Sequence, residues 1–123
     1  MAQTYKLNIE IPELPKTINE IMYKHWSVKM LHAKKWKGLV FLATLGKRPT
    51  TPLTKAHLIL TRCSAKEPDF DGLVSSFKAC IDGLVDAKII ENDKTENIGQ
   101  PEYVWEKAKP KQGLIRIEVK SCE

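Results

Sequence analysis

The chain has 123 residues, with 20 Lys/Arg against 15 Asp/Glu for a net charge of +5. That length suits a single domain spanning 1–123, which would bury about two-thirds of its unfolded surface. With no apolar run of about 18 residues and no basic-then-apolar opening, neither a membrane span nor a secretory signal is expected, and the expected location is cytoplasmic.

In chain order, Tyr5, Leu7, Ile9 and Ile11 alternate with Lys6, Asn8 and Glu10, the period of a half-buried strand that Pro12 ends. Residues 12–19 carry turn chemistry and lead into an ordered loop at Tyr23-Lys24-His25-Trp26. Ser27 is the expected N-cap of a long helix running to about Leu45, closed by Gly46 with Pro49 and Pro52 beyond. Residues 57–63 read as a second strand that delivers the chain to an acidic segment at 67–73. From Leu73 the spacing Leu73, Phe77, Ile81, Leu84 marks one buried helical face, with Lys78 and Asp82 four apart on an adjacent face. Ile89-Ile90 reads as a short buried strand or as the packing end of the connection, with Asn92-Asp93 at its tip. Residues 102–108 and 114–120 are two further strands, and Pro110-Lys111-Gln112-Gly113 between them suits a hairpin turn. The predicted fold is α/β of the α+β kind: a single domain with a mixed sheet of about four strands, packed by two main helices.

Cys63, Cys80 and Cys122 form an odd set without a Cys-x-x-Cys pair, and the three histidines show no ligand spacing with them. Reduced thiols are expected, not a zinc site. The charge is unevenly spread. Residues 1–66 hold 12 Lys/Arg and 3 Asp/Glu, or +9, whereas residues 67–123 hold 8 and 12, or −4. A basic half attracts a polyanion through counterion release, although lysine-rich surfaces also simply keep small proteins soluble.

The acidic half places Asp69 and Asp71 two apart before a helical pattern, where an extended approach would point both to one side, and Asp93 beyond the helix. Two carboxylates about 5 Å apart repel by roughly 3 kcal/mol at an effective dielectric of about 20, a cost that a divalent cation relieves. Mg²⁺ takes oxygen ligands of this kind, with Mn²⁺ a possible substitute. The plainer alternative is that Asp71 is an N-cap and Lys78 a surface lysine paired with Asp82. A calcium hand fails on spacing: counted from Asp69, the positions that need Gly and Glu are Val74 and Cys80.

Asp69-x-Asp71-x-Leu73, Lys78-x-x-x-Asp82-Gly83-Leu84 and Asp93 after Ile89-Ile90 resemble the RusA family of Holliday junction resolvases, small phage and prophage endonucleases. Two positions depart from that family's pattern, Gly72 where Asn is usual and Asn92 where the first Asp of an Asp-Asp pair is usual. Six residues separate Asp71 from Lys78, more than in the shorter form of the motif. The resemblance implies Asp69, Asp71 and Asp93 as metal-binding catalytic residues, Lys78 either at the scissile phosphate or steadying the carboxylates, and Asp82 and Asn92 in support. It also implies a homodimer that cuts branched DNA, a four-way junction, by paired nicks in recombination and repair. Pro15, Asn19 and His25 resemble its substrate-facing segment.

Lys24, His25, Trp26, Lys29, Lys34, Lys35 and Lys37 cluster over the loop and first turns of the long helix. They suit phosphate contacts, which carry no base information and fit recognition of junction shape. Trp26 either stacks on an unpaired base or packs in the core at the helix start. Two rival readings stay open at this point: a catalytically silent binder of structured DNA, and a basic RNA-binding protein.

Overall fold

Burial follows the alternation of the first strand, β1 (Lys6–Ile11): Leu7, Ile9 and Ile11 are buried, and Lys6, Asn8 and Glu10 are exposed. The computed structural model describes residues 5–122. After β1 come α1 (Ile18–Ile21), α2 (Trp26–Ala43), β2 (Ala56–Ser64), α3 (Phe70–Ser76), α4 (Lys78–Asp86), α5 (Thr95–Ile98), β3 (Glu102–Lys107) and β4 (Leu114–Ser121). The four strands form one mixed sheet in the order β1-β4-β2-β3, with helices packed on it, which is the α+β class that the periodicities predict. Among the described residues no helix is long and apolar enough to cross a membrane.

The sheet order corrects one expectation. β3 and β4 are not a hairpin: β3 pairs parallel with β2, from Ile59 opposite Glu102 to Ser64 opposite Lys107, and β4 runs antiparallel between β1 and β2. The burial patterns give the reason. Ile115, Ile117 and Val119 of β4 are fully buried, which suits a central strand. Glu102, Glu106 and Lys107 of β3 are exposed, and charged side chains of this sort protect a sheet edge. The connection at 108–113 has only to pass over β2, about 10 Å of sheet at the usual strand spacing.

The long helix starts one residue before the expected cap. His25 is the N-cap, its Nδ1 accepting from the Ser27 backbone N–H at 3.2 Å, and the helix ends at Ala43. A short helix, α1, occupies part of the segment read as turn; Glu20 Oε1 accepts from the Thr17 N–H at 2.9 Å, half of a Thr-x-x-Glu capping box. The single helix expected from Leu73 is two. Ser75 Oγ donates to Gly72 O at 3.1 Å and Ser76 Oγ to Leu73 O at 2.8 Å. Such back-bonding competes with the helical ladder, and the chain breaks at Phe77 (φ −97°, ψ −1°) before α4 begins. Ile89-Ile90 forms a single parallel bridge to Leu53 and not a full strand.

The core joins Leu58 and Leu60 of β2 and the buried residues of β4 and β1 to Trp36 and Val40 of α2 and to Phe77, Ile81 and Leu84. α4 lies close on α2: a Cβ added at Gly83 would stand 3.0 Å from Val40 Cβ and 3.2 Å from the Lys37 backbone. Gly83→Val therefore forces these helices apart. It is expected to destabilise the fold by about 1–3 kcal/mol, read as a lower urea midpoint at unchanged slope, and an unchanged midpoint would disprove this contact.

Candidate functional site

Lys78 opens α4, and its Nζ donates to Asp82 Oδ1 at 3.0 Å and to Asp93 Oδ2 at 2.9 Å. Asp82 meets it because four residues of helix return a side chain to the same face. Asp93 arrives from a different segment: the Leu53 bridge holds Ile90, with the Glu91 N–H donating to Leu53 O at 2.9 Å, so the following turn comes back over the start of α4. Asn92 Oδ1 accepts from the Asp93 N–H at 2.8 Å and fixes that turn. Hydrogen bonds to Asp93 and Asp82 raise the Lys78 pKa, and the Lys78 ammonium holds the Asp93 carboxyl below its ordinary value. The Lys78 side chain is 65% exposed, so solvent screens both pairs and their share of fold stability is small.

Asp69 lies at the start of α3. Its Oδ1 accepts from the Gly72 N–H at 2.8 Å, which makes Asp69 the N-cap, and its Oδ2 accepts from Asn19 Nδ2 at 3.3 Å. The alternative that Asp71 caps the helix is thereby corrected, since Asp71 sits inside the first turn. The expected extended approach through Asp69 and Asp71 is corrected with it. A cap must be non-helical while the next residues are helical, so the two side chains leave the backbone differently.

Tyr103 of β3 packs against the segments that carry both acidic groups, and the sequence reading missed it. Its ring is 6.5 Å from Phe70, edge-on, and 6.2 Å from Phe77. Phe70 stands between Asp69 and Asp71 in the chain, and Phe77 immediately precedes Lys78. Burial raises the Tyr103 pKa, and the Lys78 charge acts against that rise. Only the parallel pairing of β3 on β2 brings Tyr103 here, and no local pattern encodes that pairing.

Two groups of predicted residues thus come together: Lys78 with Asp82, Asp93 and Asn92, and Asp69 with Asn19. Asp71 is exposed on the first turn of α3. Among the described residues no three His, Cys, Asp or Glu side chains cluster closely enough to enclose one ion. Asp69, Asp71 and Asp93 are accordingly not gathered around a common point in this arrangement, because the helix cap and Asn19 hold Asp69 and Lys78 holds Asp93.

The basic residues form an open surface. Lys24, His25, Trp26, Lys29, Lys34 and Lys35 are all exposed, with Lys35 Nζ paired to Glu13 Oε2 at 2.6 Å. Of the two readings of Trp26, core packing fails: it is 65% exposed, and Trp36 is the buried tryptophan. The His25 ring lies 5.5 Å from the Trp26 ring, and Tyr23 nearby is also exposed. No protein-family model matches the chain, and no curated protein matches it.

Replacing Lys78 by Met removes the main cause of the Asp93 shift. The Asp93 carboxyl is expected to titrate higher in Lys78→Met than in the parent, followed by carbon NMR of the side chain. Because the folded pKa of Asp93 is depressed, its contribution to stability is present above the unfolded value of about 3.9 and is lost as pH falls through the folded value. An identical Asp93 titration in both proteins would show that the ion pair is absent in solution.

Proposed function

We propose that this protein is a Mg²⁺-dependent endonuclease of the RusA type that resolves four-way DNA junctions as a homodimer. The observation that carries the reading is the bridging of Lys78 to Asp82 and Asp93. These are three of the residues on which the resemblance rests, and two of them are 15 positions apart in the chain. A surface lysine paired only within its own helix would not need the Asn92-Asp93 turn.

The donor chemistry suits the metal. Mg²⁺ is held through one or two carboxylates together with water and substrate oxygens, so it does not require an all-protein cage. Since Asp69, Asp71 and Asp93 do not share one point, one or two of them at a time would hold it with water and substrate oxygens, and when bound it would supply charge neutralisation at the phosphate and orient water. Lys78 binds the scissile phosphate as a compact point charge, Asp82 and Asn92 keep Lys78 and the Asp93 turn in position, and Asn19 orients Asp69. The exposed lysines of α2 and its leading loop hold the arms of the junction through their phosphates. Two symmetric nicks call for two such sites related by a two-fold axis, hence the homodimer.

One observation favours a second reading, a binder of structured DNA that does not cut: Asp69 is already engaged by the Gly72 N–H and Asn19. Both readings meet the same experiment. Asp69→Asn and Asp93→Asn are expected to lower the rate of nicking of a synthetic junction by at least about 100-fold while binding persists. Full cleavage by either variant in Mg²⁺ would overturn the assignment. Tight junction binding by the parent with no nicking in Mg²⁺ or Mn²⁺ selects the silent binder, and preference for single-stranded RNA over the junction rejects both.

A further inference from the structure

Beside Lys78 the helix break opens a cleft of about 480 Å³ between α1, α2 and the α3–α4 junction. Its walls are apolar, formed by Ile18, Ile21, Val74, Ile81 and Tyr103, and its polar rim carries Lys16, His32, Lys78 and Asp82. Ligand pockets typically have this size and build, mostly apolar with a few placed polar groups. The walls are tied together: the Ile18 N–H donates to Ser75 Oγ at 3.0 Å, joining α1 to α3, and the Lys16 N–H donates to His32 Nε2 at 3.0 Å, joining the same segment to α2.

We propose that this cleft takes one unpaired nucleobase from the branch point, with its flanking phosphates on Lys16 and Lys78. The inference deepens the nuclease reading and rests on it for the identity of the polymer. Three observations select the occupant. The apolar walls suit the faces of a flat heterocycle, as in other single-strand sites where stacking supplies affinity without sequence preference. The rim adds cations at Lys16 and Lys78; Lys78 is shared by Asp82 and Asp93, whereas Lys16 forms no ion pair among the described residues, so Lys16 is the cation that complements a phosphate. An isologous contact with a second copy would instead bring these lysines toward their own counterparts. Lys78 belongs to both cleft and carboxylate group, so a base seated here leaves its own phosphate at the residue proposed to bind the scissile one.

The test uses a synthetic junction with 2-aminopurine at a branch-point position and no divalent metal. Binding of the parent protein is expected to raise the reporter's fluorescence as the base leaves its stack. Ala79→Phe fills the cleft and leaves the proposed catalytic side chains themselves unsubstituted; provided it melts as a folded protein, it is expected to abolish that rise and weaken junction binding about tenfold. A reporter that stays quenched with the parent, or responds equally with Ala79→Phe, overturns the proposal. Should Ala79→Phe not fold, methyl NMR of the unmodified protein decides. Shifts at Ile18, Ile21 and Ile81 on adding deoxyadenosine monophosphate support the cleft. Shifts that follow protein concentration instead, or none at all, overturn it. The two hypotheses fail separately: a reporter rise without cutting in Mg²⁺ keeps the cleft and rejects the nuclease, and cutting with a quenched reporter rejects the cleft alone.

Discussion

The close approach of α4 to α2 at Gly83 governs the chemistry of this surface. With no side chain at that position, the backbone of α4 settles against Val40 and Lys37, and its rotation about its own axis is set. Phe77, Cys80, Ile81 and Leu84 then face the core, and the helical period leaves Lys78 and Asp82 on the open side. A rotation that turned these two inward would bury an ammonium and a carboxylate among apolar side chains, at a desolvation cost of several kcal/mol for each. The core and the polar surface thus select the same orientation of α4.

The break at Phe77 adds a second constraint. A continuous helix through this region would use its serine carbonyl and hydroxyl groups differently; instead Ser75 and Ser76 turn back on Gly72 and Leu73, and α3 ends. Phe77 is buried at the break and packs against Tyr103, and Phe70 meets the same ring edge-on. In the chain Phe70 stands between Asp69 and Asp71, and Phe77 immediately precedes Lys78. Each acidic group has its own relief. Asp69 accepts from a backbone N–H at the positive end of a helix, and Asp82 and Asp93 share one ammonium. That division explains why so many carboxylates coexist within a short stretch of chain.

Features that depend on neighbouring residues were legible in the sequence. The alternation of β1 and β4, the apolar stretch of β2 and the spacing of Leu73, Phe77, Ile81 and Leu84 all match their burial, and the pairing of Lys78 with Asp82 follows from their separation alone. Long-range placement was not legible. A Pro-Lys-Gln-Gly segment between two strands suits a hairpin, yet β4 enters the sheet beside β2 because its three fully buried residues need cover on both flanks and β3 offers exposed charges. The same crossing carries Tyr103 to the acidic groups. Asp93 meets Lys78 through a bridge formed by Leu53, some forty residues earlier, which no motif records. The short α1 left a readable trace, Thr17-Ile18-Asn19-Glu20, whose capping pattern outweighs the prolines before it.

Lys78 is the point at which these constraints meet. An ammonium has three N–H donors; two are used on Asp82 and Asp93, and the side chain remains largely open to solvent. The third donor is therefore free for an incoming oxygen, and the two carboxylates prevent the ammonium from moving toward it at random. On the nuclease reading this matters more than charge alone. A lysine on an unsupported four-carbon stem would lose rotamer freedom on capturing a phosphate. Asp82 and Asp93 favour one position of the Lys78 ammonium, so part of that ordering precedes phosphate binding. The two carboxylates come from different parts of the chain: Asp82 holds the ammonium along its own helix and lines the cleft, and Asp93 reaches it from the turn after Ile90.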